Sequence, residues 1–371
     1  MRPPLNILFI GKRFYTNRDA LKEKYGRIYQ LPWHWSQAGI LTKLWLIDYH
    51  TRTAHRLRDD NLEVHSTPVR SLTILQHWFS SGGFKPSQPF DMVIASGDCY
   101  IGWMAYFLAR RMKAKFVFDV YDKYDEFAGY RSPPGFNLFT QLLDKADARL
   151  FASRALMDSL RRAPHDCLAL NGLDIHRFAP RDMQKSRQTM NLPPNTLLVG
   201  YFGGMEQDRG IADLIAAVTL LRKQGMEIQL VLGGKPSLDL NLQQPGVLYL
   251  GNVPYEKMPD ALAACDLLAI PYRRSAFMDA GSSNKIAEAI ACQRPIVATR
   301  TPNLIANFPD QASRLSPLLA APGDPESLAQ SIRLQSQQRL VVDMPDRMTW
   351  QHIAQDLAQK LAHKGEWNSS T

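Results

Sequence analysis

Gly281, Ser282, Ser283 and Asn284 stand directly before an apolar-periodic segment, with Lys285 at its start and Glu288 one turn further on. Small residues of this kind close a tight turn and cap a helix. The spacing of Ile286, Ala287, Ile290 and Ala291 predicts a helix over 285–292 that ends before Pro295, followed by a short buried strand at Ile296-Val-Ala. A helix start offers unsatisfied N–H groups and the positive end of its dipole to an anion. A lysine in the first turn is disfavoured by that dipole unless an anion is bound there. Glu288 is placed to accept hydrogen bonds from hydroxyls on the same ligand. Phosphate plus hydroxyls points to a nucleotide or a nucleotide sugar; a plain structural N-cap is the competing reading.

The elements that must position these residues are legible as alternating strands and helices. Strands are predicted at 5–10, 42–47, 90–95 and 115–119, with helices at 25–39 and 101–112. The pattern restarts with strands at 197–202, 228–232, 247–250 and 267–270 and helices at 210–224 and 257–265. Such alternation argues for α/β architecture with parallel sheets covered on both faces. Two successive series imply two doubly wound Rossmann-like domains facing across a cleft, where ligands of such sheets bind. Turn chemistry in Asn171-Gly-Leu-Asp and at Pro180 places a hinge there, and the polar stretch 181–194 completes a linker. Residues 350–363 read as an amphipathic helix and 366–371 as a disordered tail.

At 371 residues the chain exceeds one ordinary core, and 45% apolar with 21% charged residues is a globular composition. Cys99, Cys167, Cys265 and Cys292 are far apart, which predicts reduced thiols in a cytosolic protein and no metal site. No apolar run reaches the roughly 18 residues of a membrane span, and 5–10 is too short for a signal sequence. The net charge is +9, and residues 1–174 hold 24 Lys and Arg against 17 Asp and Glu, the remainder 20 against 18. That bias fits an anionic surface or substrate, or simply a solvated basic face. Trp33, Trp35 and Trp45 in the basic half suggest a face resting on an anionic membrane. His34, between two of them, reads as packing or amphipathic surface rather than as a base.

In this order and spacing the chain resembles the retaining glycosyltransferases of the two-Rossmann-domain (GT-B) architecture, the group usually called family 4. The segments that carry the resemblance are Asn171–Asp174 with Phe178 and Pro180, Gly200–Gly203 with Arg209, Gly210 and Leu214, Leu230–Gly234, Leu250–Val253 with Met258 and Ala264–Asp266, and Gly281–Pro295. They cover the C-terminal half strongly and the N-terminal half loosely. The resemblance implies an acceptor-binding domain at 1–170, a hinge and linker at 171–194 and a donor-binding domain at 195–345. Residues 346–371 would then be a helix crossing back to the first domain, and a tail.

By the same resemblance, Glu288 holds the ribose hydroxyls, Gly203 and Gly204 lie at the donor turn, and Gly281, Ser282, Ser283 and Asn284 meet the diphosphate. Val253 contacts the base, and Arg209 replaces a phosphate-binding lysine. A cation there would neutralise charge growing on the departing nucleoside diphosphate, and Lys285 would share the task. Gly11, followed by Lys12 and Arg13, falls where the family has a glycine loop near the donor phosphate. Asp119 and Asp122 fall where a carboxylate near the anomeric centre is common, able to take the acceptor proton or merely to cap the next segment. The chain departs from the pattern at Ala280, where a second glutamate is usual, and at Gly204, where an arginine is usual; Asp279 is one residue out of register. No Asp-x-Asp triplet occurs, so Lys, Arg and helix amides are expected to neutralise the diphosphate in place of a divalent metal, with no cofactor beyond the UDP- or GDP-linked donor.

The expected activity is therefore retaining transfer of a sugar to a glycan or lipid-linked acceptor in surface polysaccharide or glycolipid synthesis. The expected place is the cytoplasm, peripherally at the inner face of the membrane, with no nucleic-acid partner. A non-catalytic sugar-nucleotide-binding or assembly protein on the same fold is the second reading, motivated by Ala280 and Gly204. A nicotinamide-dependent oxidoreductase is a third, opposed by the lack of G-x-G-x-x-G after the first strand.

Overall fold

A computed structural model describes residues 5–15, 18–70, 73–84, 88–127, 129–237, 239–345 and 347–363; the tail at 366–371 lies outside the described residues. Contacts divide the chain into two units, Leu173–Asp346 and the residues on either side of it.

The first unit is built on an eight-stranded sheet. Its strands are β1 (Asn6–Lys12), β2 (Leu41–Asp48), β3 (His55–Asp59), β4 (Leu62–Pro68), β5 (Met92–Ser96), β6 (Lys115–Val120), β7 (Ala148–Phe151) and β8 (Cys167–Leu168). They lie in the order β8-β7-β6-β5-β1-β2-β4-β3. Neighbours run parallel except β3, which is antiparallel to β4. The central strands are near-continuous apolar runs because helices cover both faces. Strand order reverses between β1 and β5, the switch point at which open α/β sheets bind ligands. Register places Gly11 beside Ser96 and Ser96 beside Asp119 at that end.

Helices α1 (Gly26–Gln37), α2 (Cys99–Met112) and α3 (Leu138–Lys145) belong to this unit, as does the C-terminal helix Trp350–His363. That last helix buries Trp350, Ala354, Leu357 and Leu361 in one core with α1, and the Trp35 indole donates to the carbonyl of Ala354 at 2.8 Å. Gly172 permits its approach: a Cβ there would lie 2.6 Å from the Trp350 ring. Leu357 is fully buried, so Leu357→Ala should cost about 2–5 kcal/mol by lost burial and cavity formation. A lowered urea midpoint for the first unit checks it; an unchanged one would mean that the helix is not part of that core.

The second unit is a five-stranded parallel sheet of β9 (Leu197–Phe202), β10 (Ile228–Gly233), β11 (Val247–Tyr249), β12 (Leu267–Ile270) and β13 (Ile296–Ala298). The order is β11-β10-β9-β12-β13, reversing between β9 and β12. Its helices include α4 (Met183–Met190), α5 (Ile211–Lys223), α6 (Met258–Ala263), α7 (Asn284–Ala291) and α8 (Pro325–Gln338).

The helix α4 corrects the reading of 181–194 as a polar linker. Asp182 caps it, and the buried Arg187 donates to the carbonyls of Ala264 and Pro194 and, at 2.6 Å, to the Asp266 carboxylate. The segment is polar in sequence because the side chains that anchor it are polar, the buried Arg187 and the buried Ser186, which donates to Asp260.

Candidate functional site

The switch point of the second sheet gathers most of the expected donor residues. Strand β9 ends at Phe202, and the chain turns at Gly203 with φ of 143°. A Cβ on Gly203 would lie 2.1 Å from Cε of Lys285. That φ is what requires glycine here, and the Lys285 side chain lies across it, which brings a first-turn cation of α7 to the end of β9. A Cβ on Gly204 would in turn meet the Glu206 carboxylate at 2.5 Å.

Arg209 ends the short turn Gln207–Arg209 before α5. Its guanidinium carbon is 5.4 Å from the ring centroid of Tyr272, and its Nε lies 3.3 Å from Glu206 Oε2. Burial by itself would lower the Arg209 pKa; Tyr272, Tyr201, Glu206 and Asp208 outweigh it and hold the guanidinium charged. Tyr272, just past β12, is fully buried, and its hydroxyl is 2.7 Å from Ser283 Oγ. One phenol thus links the Arg209 loop to the start of α7.

The same loop is latched a second time. Arg273 makes two 2.6 Å bonds to the Asp213 carboxylate, its N–H donates to the Asp208 carbonyl, and Ser275 Oγ donates to Asp208 at 3.1 Å. The turn before α7 is held by the helix Pro302–Asn307. Asn303 Oδ1 accepts from the Ser283 N–H at 3.1 Å, and Asn307 donates to the Gly281 carbonyl. The Ser283 amide, expected to face a diphosphate, is therefore engaged by the protein itself. Ser282 and Asn284 flank it, half-buried. Tyr272, Arg273, Asn303 and Asn307 were not singled out from sequence; their only signal there is placement after strands.

Glu288 is half-buried one turn into α7. Burial first, and then the Glu288 charge, push the Cys292 thiol up to about 12. Val253 is buried beside the end of β10, where a Cβ on Gly233 would lie 2.7 Å from its Cγ2. Asp279, one residue out of register with Ala280, is paired with Arg274: both its oxygens accept from Arg274 Nε, at 2.7 and 2.9 Å.

The first unit corrects several expectations. Gly11 lies within β1 and serves helix packing, because a Cβ there would be 2.4 Å from Ile28 Cγ2. Lys12 is 3.7 Å from the Asp98 carboxylate, and Arg13 is buried against Asp19 and Asp48. Asp119 is fully buried. It accepts from Arg27 Nε at 2.9 Å, from Arg27 Nη2 at 2.6 Å and from Ser96 Oγ at 2.6 Å. Arg27 also donates to the Ala169 carbonyl and to Asn171 Oδ1. Asp119 is an anchor for β5, β6, α1 and the approach to Gly172, placed too deep to meet an acceptor hydroxyl. Asp122, the other carboxylate expected near the acceptor, is half-buried on the loop after β6. Trp35 and Trp45 are fully buried, which overturns their assignment to a surface that rests on a membrane.

Among the described residues no three His, Cys, Asp or Glu side chains are grouped as a metal site requires, and no helix is long and apolar enough to cross a membrane.

Residues 196–336 match the family model described as Glycosyl transferases group 1. The D-inositol 3-phosphate glycosyltransferase of Corynebacterium kroppenstedtii is 25% identical over 247 residues, covering 59% of this chain and 53% of that protein. The putative teichuronic acid biosynthesis glycosyltransferase TuaC of Bacillus subtilis is 25% identical over 205 residues, covering 54% of this chain and 50% of that one. The chain thus spans about half the length of the curated relatives it matches. Among solved structures, sucrose-phosphate synthase from Thermosynechococcus elongatus superposes with a TM-score of 0.71 at 15% identity, covering 98% of this chain and 100% of that one. Anabaena Alr3699/HepE in complex with UDP-glucose gives 0.60 at 16% identity, covering 97% and 100%. The fold is α/β of the GT-B class, with two Rossmann-like units.

Proposed function

We propose, from the premise that residues 196–336 form a glycosyl transferases group 1 domain, that the protein moves a sugar from a nucleotide-sugar donor to a glycan or lipid-linked acceptor. The observation that carries this reading is the Arg209–Tyr272–Ser283 chain with Lys285 laid over Gly203, which sets two cations and a helix start at one switch point. HepE was solved with UDP-glucose, which supports a uridine or related donor here.

In this reading Glu288 accepts from the ribose hydroxyls and Val253 contacts the base. Arg209 and Lys285 meet the diphosphate and gain most as its charge grows on departure. The family resemblance implies a retaining course and, with no evident covalent nucleophile, a front-face attack: the acceptor oxygen approaches on the side the diphosphate leaves, and the leaving phosphate assists its deprotonation. No divalent metal is invoked.

The test is incubation with UDP- and GDP-sugars, with and without acceptors, reading nucleoside diphosphate release and the anomeric configuration of any product. Release with retention supports the reading; inversion removes the front-face course. Donor binding without turnover for every acceptor points to the second reading, a non-catalytic protein on this fold, which Ala280 and Gly204 favour. Glu288→Ala should weaken donor binding by about ten- to a hundredfold, the loss of one to two charge-assisted hydrogen bonds. Titration with the donor, read by calorimetry, checks it, and an unchanged Kd removes Glu288 from the ribose site.

A further inference from the structure

Among the described residues, the exposed aromatics of the first unit lie on α2 and on the loop that precedes α3. Helix α2 buries Cys99, Ile101, Gly102, Ala105, Leu108 and Ala109 against the sheet. Its outer stripe carries Tyr100, Trp103 and Phe107 at i, i+3 and i+7, one above the other. Tyr100 is 45% and Phe107 53% exposed. The loop brings Phe136, 37% exposed, beside them: its ring is 5.9 Å from that of Trp103, which is 5.6 Å from Phe107. Pro133, Pro134 and Gly135 of that loop are all exposed. It is closed on itself by the Ser132 hydroxyl, which donates to the Phe136 carbonyl and accepts from the Leu138 N–H.

Along α2 and the loop themselves the charges have one sign. The sequence holds no Asp or Glu between Asp98 and Asp119, nor between Glu126 and Asp144, while Arg110, Arg111, Lys113 and Arg131 lie within those stretches. All four are exposed. Arg131 joins the two halves of the patch, since its N–H donates to the Tyr100 hydroxyl, which donates in turn to the Arg131 carbonyl.

We infer that this stripe and loop seat the first unit on an anionic lipid bilayer. Tyr and Trp side chains, apolar with a polar tip, are suited to the headgroup level. The exposed phenylalanine of a loop closed on itself by Ser132 adds apolar surface to bury between headgroups. Exposed cations around the rim meet anionic lipid, each worth roughly a fivefold gain in partitioning. A second copy of this chain is a poor occupant, because a twofold contact would set the same cations face to face. The inference rests on the proposed acceptor class only in giving the contact a purpose: it would hold the enzyme where a lipid-linked acceptor is found.

The test is co-sedimentation of the full chain with phosphatidylcholine vesicles, with and without phosphatidylglycerol, at low and high salt. The expected result is binding that requires phosphatidylglycerol and weakens with salt. Phe107→Ser with Phe136→Ser should lower it about tenfold through lost apolar burial. Arg110→Ala with Arg131→Ala should lower it roughly twenty-five-fold and flatten the salt dependence. Thermal unfolding and donor binding of both variants, read without lipid, should match the parent. No sedimentation of the parent overturns the inference, as does full binding by both variants. Concentration-dependent self-association without lipid, removed by the same substitutions, overturns it in favour of a contact between copies. Donor turnover on a soluble acceptor is read separately, so loss of vesicle binding and loss of the proposed activity are distinguishable.

Discussion

Arg209→Ala should lower turnover by about 10²–10³-fold, the usual cost of removing one preorganised group aimed at charge that develops in the transition state. The parent side chain is well suited to the task. The guanidinium lies over the Tyr272 ring, and neighbouring phenols and carboxylates outweigh the effect of burial on its charge. Its charge is present at every working pH, so the loss should be nearly independent of pH. Donor Kd should move much less than kcat, because the diphosphate carries more negative charge once the glycosidic bond has stretched. Stability should hardly change: the Glu206 partner is 63% exposed, and such a pair is worth about 0–1 kcal/mol. Arg209→Lys keeps the charge and loses the planar fork, so it should recover part of the rate and not all of it. The measurement is nucleoside diphosphate release beside a thermal melt. A melt that falls in step with the rate, or a lysine variant no better than alanine, would reassign Arg209 to holding the loop together.

The parts of this site that were legible in the sequence share a simple physical origin. Parallel strands buried on both faces are apolar runs, so Leu197–Phe202 and Leu267–Ile270 stand out by composition, as does the glycine- and serine-rich start of α7. What escaped was polar. The β3–β4 hairpin includes His-Arg-Leu-Arg-Asp on an exposed edge, and β4 buries His65, Ser66 and Thr67. Neither strand shows the apolar run or clean alternation that marks a strand. Arg13, Arg27, Arg149 and Arg187 are all at most 3% exposed, and each is paired with an aspartate. A sequence pattern reads each of them as a solvated cation, because nothing local marks a charge whose partner is distant along the chain. The reading of 181–194 as a polar linker follows from that, since Arg187 lies within it. Asn303 and Asn307 were invisible for the same reason: they support the turn at Gly281–Ser283 from some twenty residues away.

Asp119 is where the two kinds of reading diverge most, and Asp119→Asn should separate them. If the carboxylate served the chemistry directly, the variant would fold normally and lose turnover. Its surroundings predict the reverse. The substitution leaves the Arg27 guanidinium, itself buried, without its countercharge, and breaking such a pair from one side costs about 3–5 kcal/mol. The first unit should therefore unfold at a markedly lower denaturant concentration, while donor binding, assigned to the second unit, persists as long as that unit stays folded. Arg27→Met together with Asp119→Leu removes both charges and should be more stable than the single variant, because it leaves no unpaired ion in the core. The recovery will be incomplete, since Ser96 and Asn171 lose partners in the exchange. The double-mutant cycle, read by urea unfolding, gives the coupling directly. Additive losses would show that the pair is not an energetic unit. A double variant that is stable and binds donor, yet is inert with every acceptor the parent uses, would return Asp119 to the chemistry; one that regains turnover along with stability leaves the acceptor-side carboxylate to Asp122.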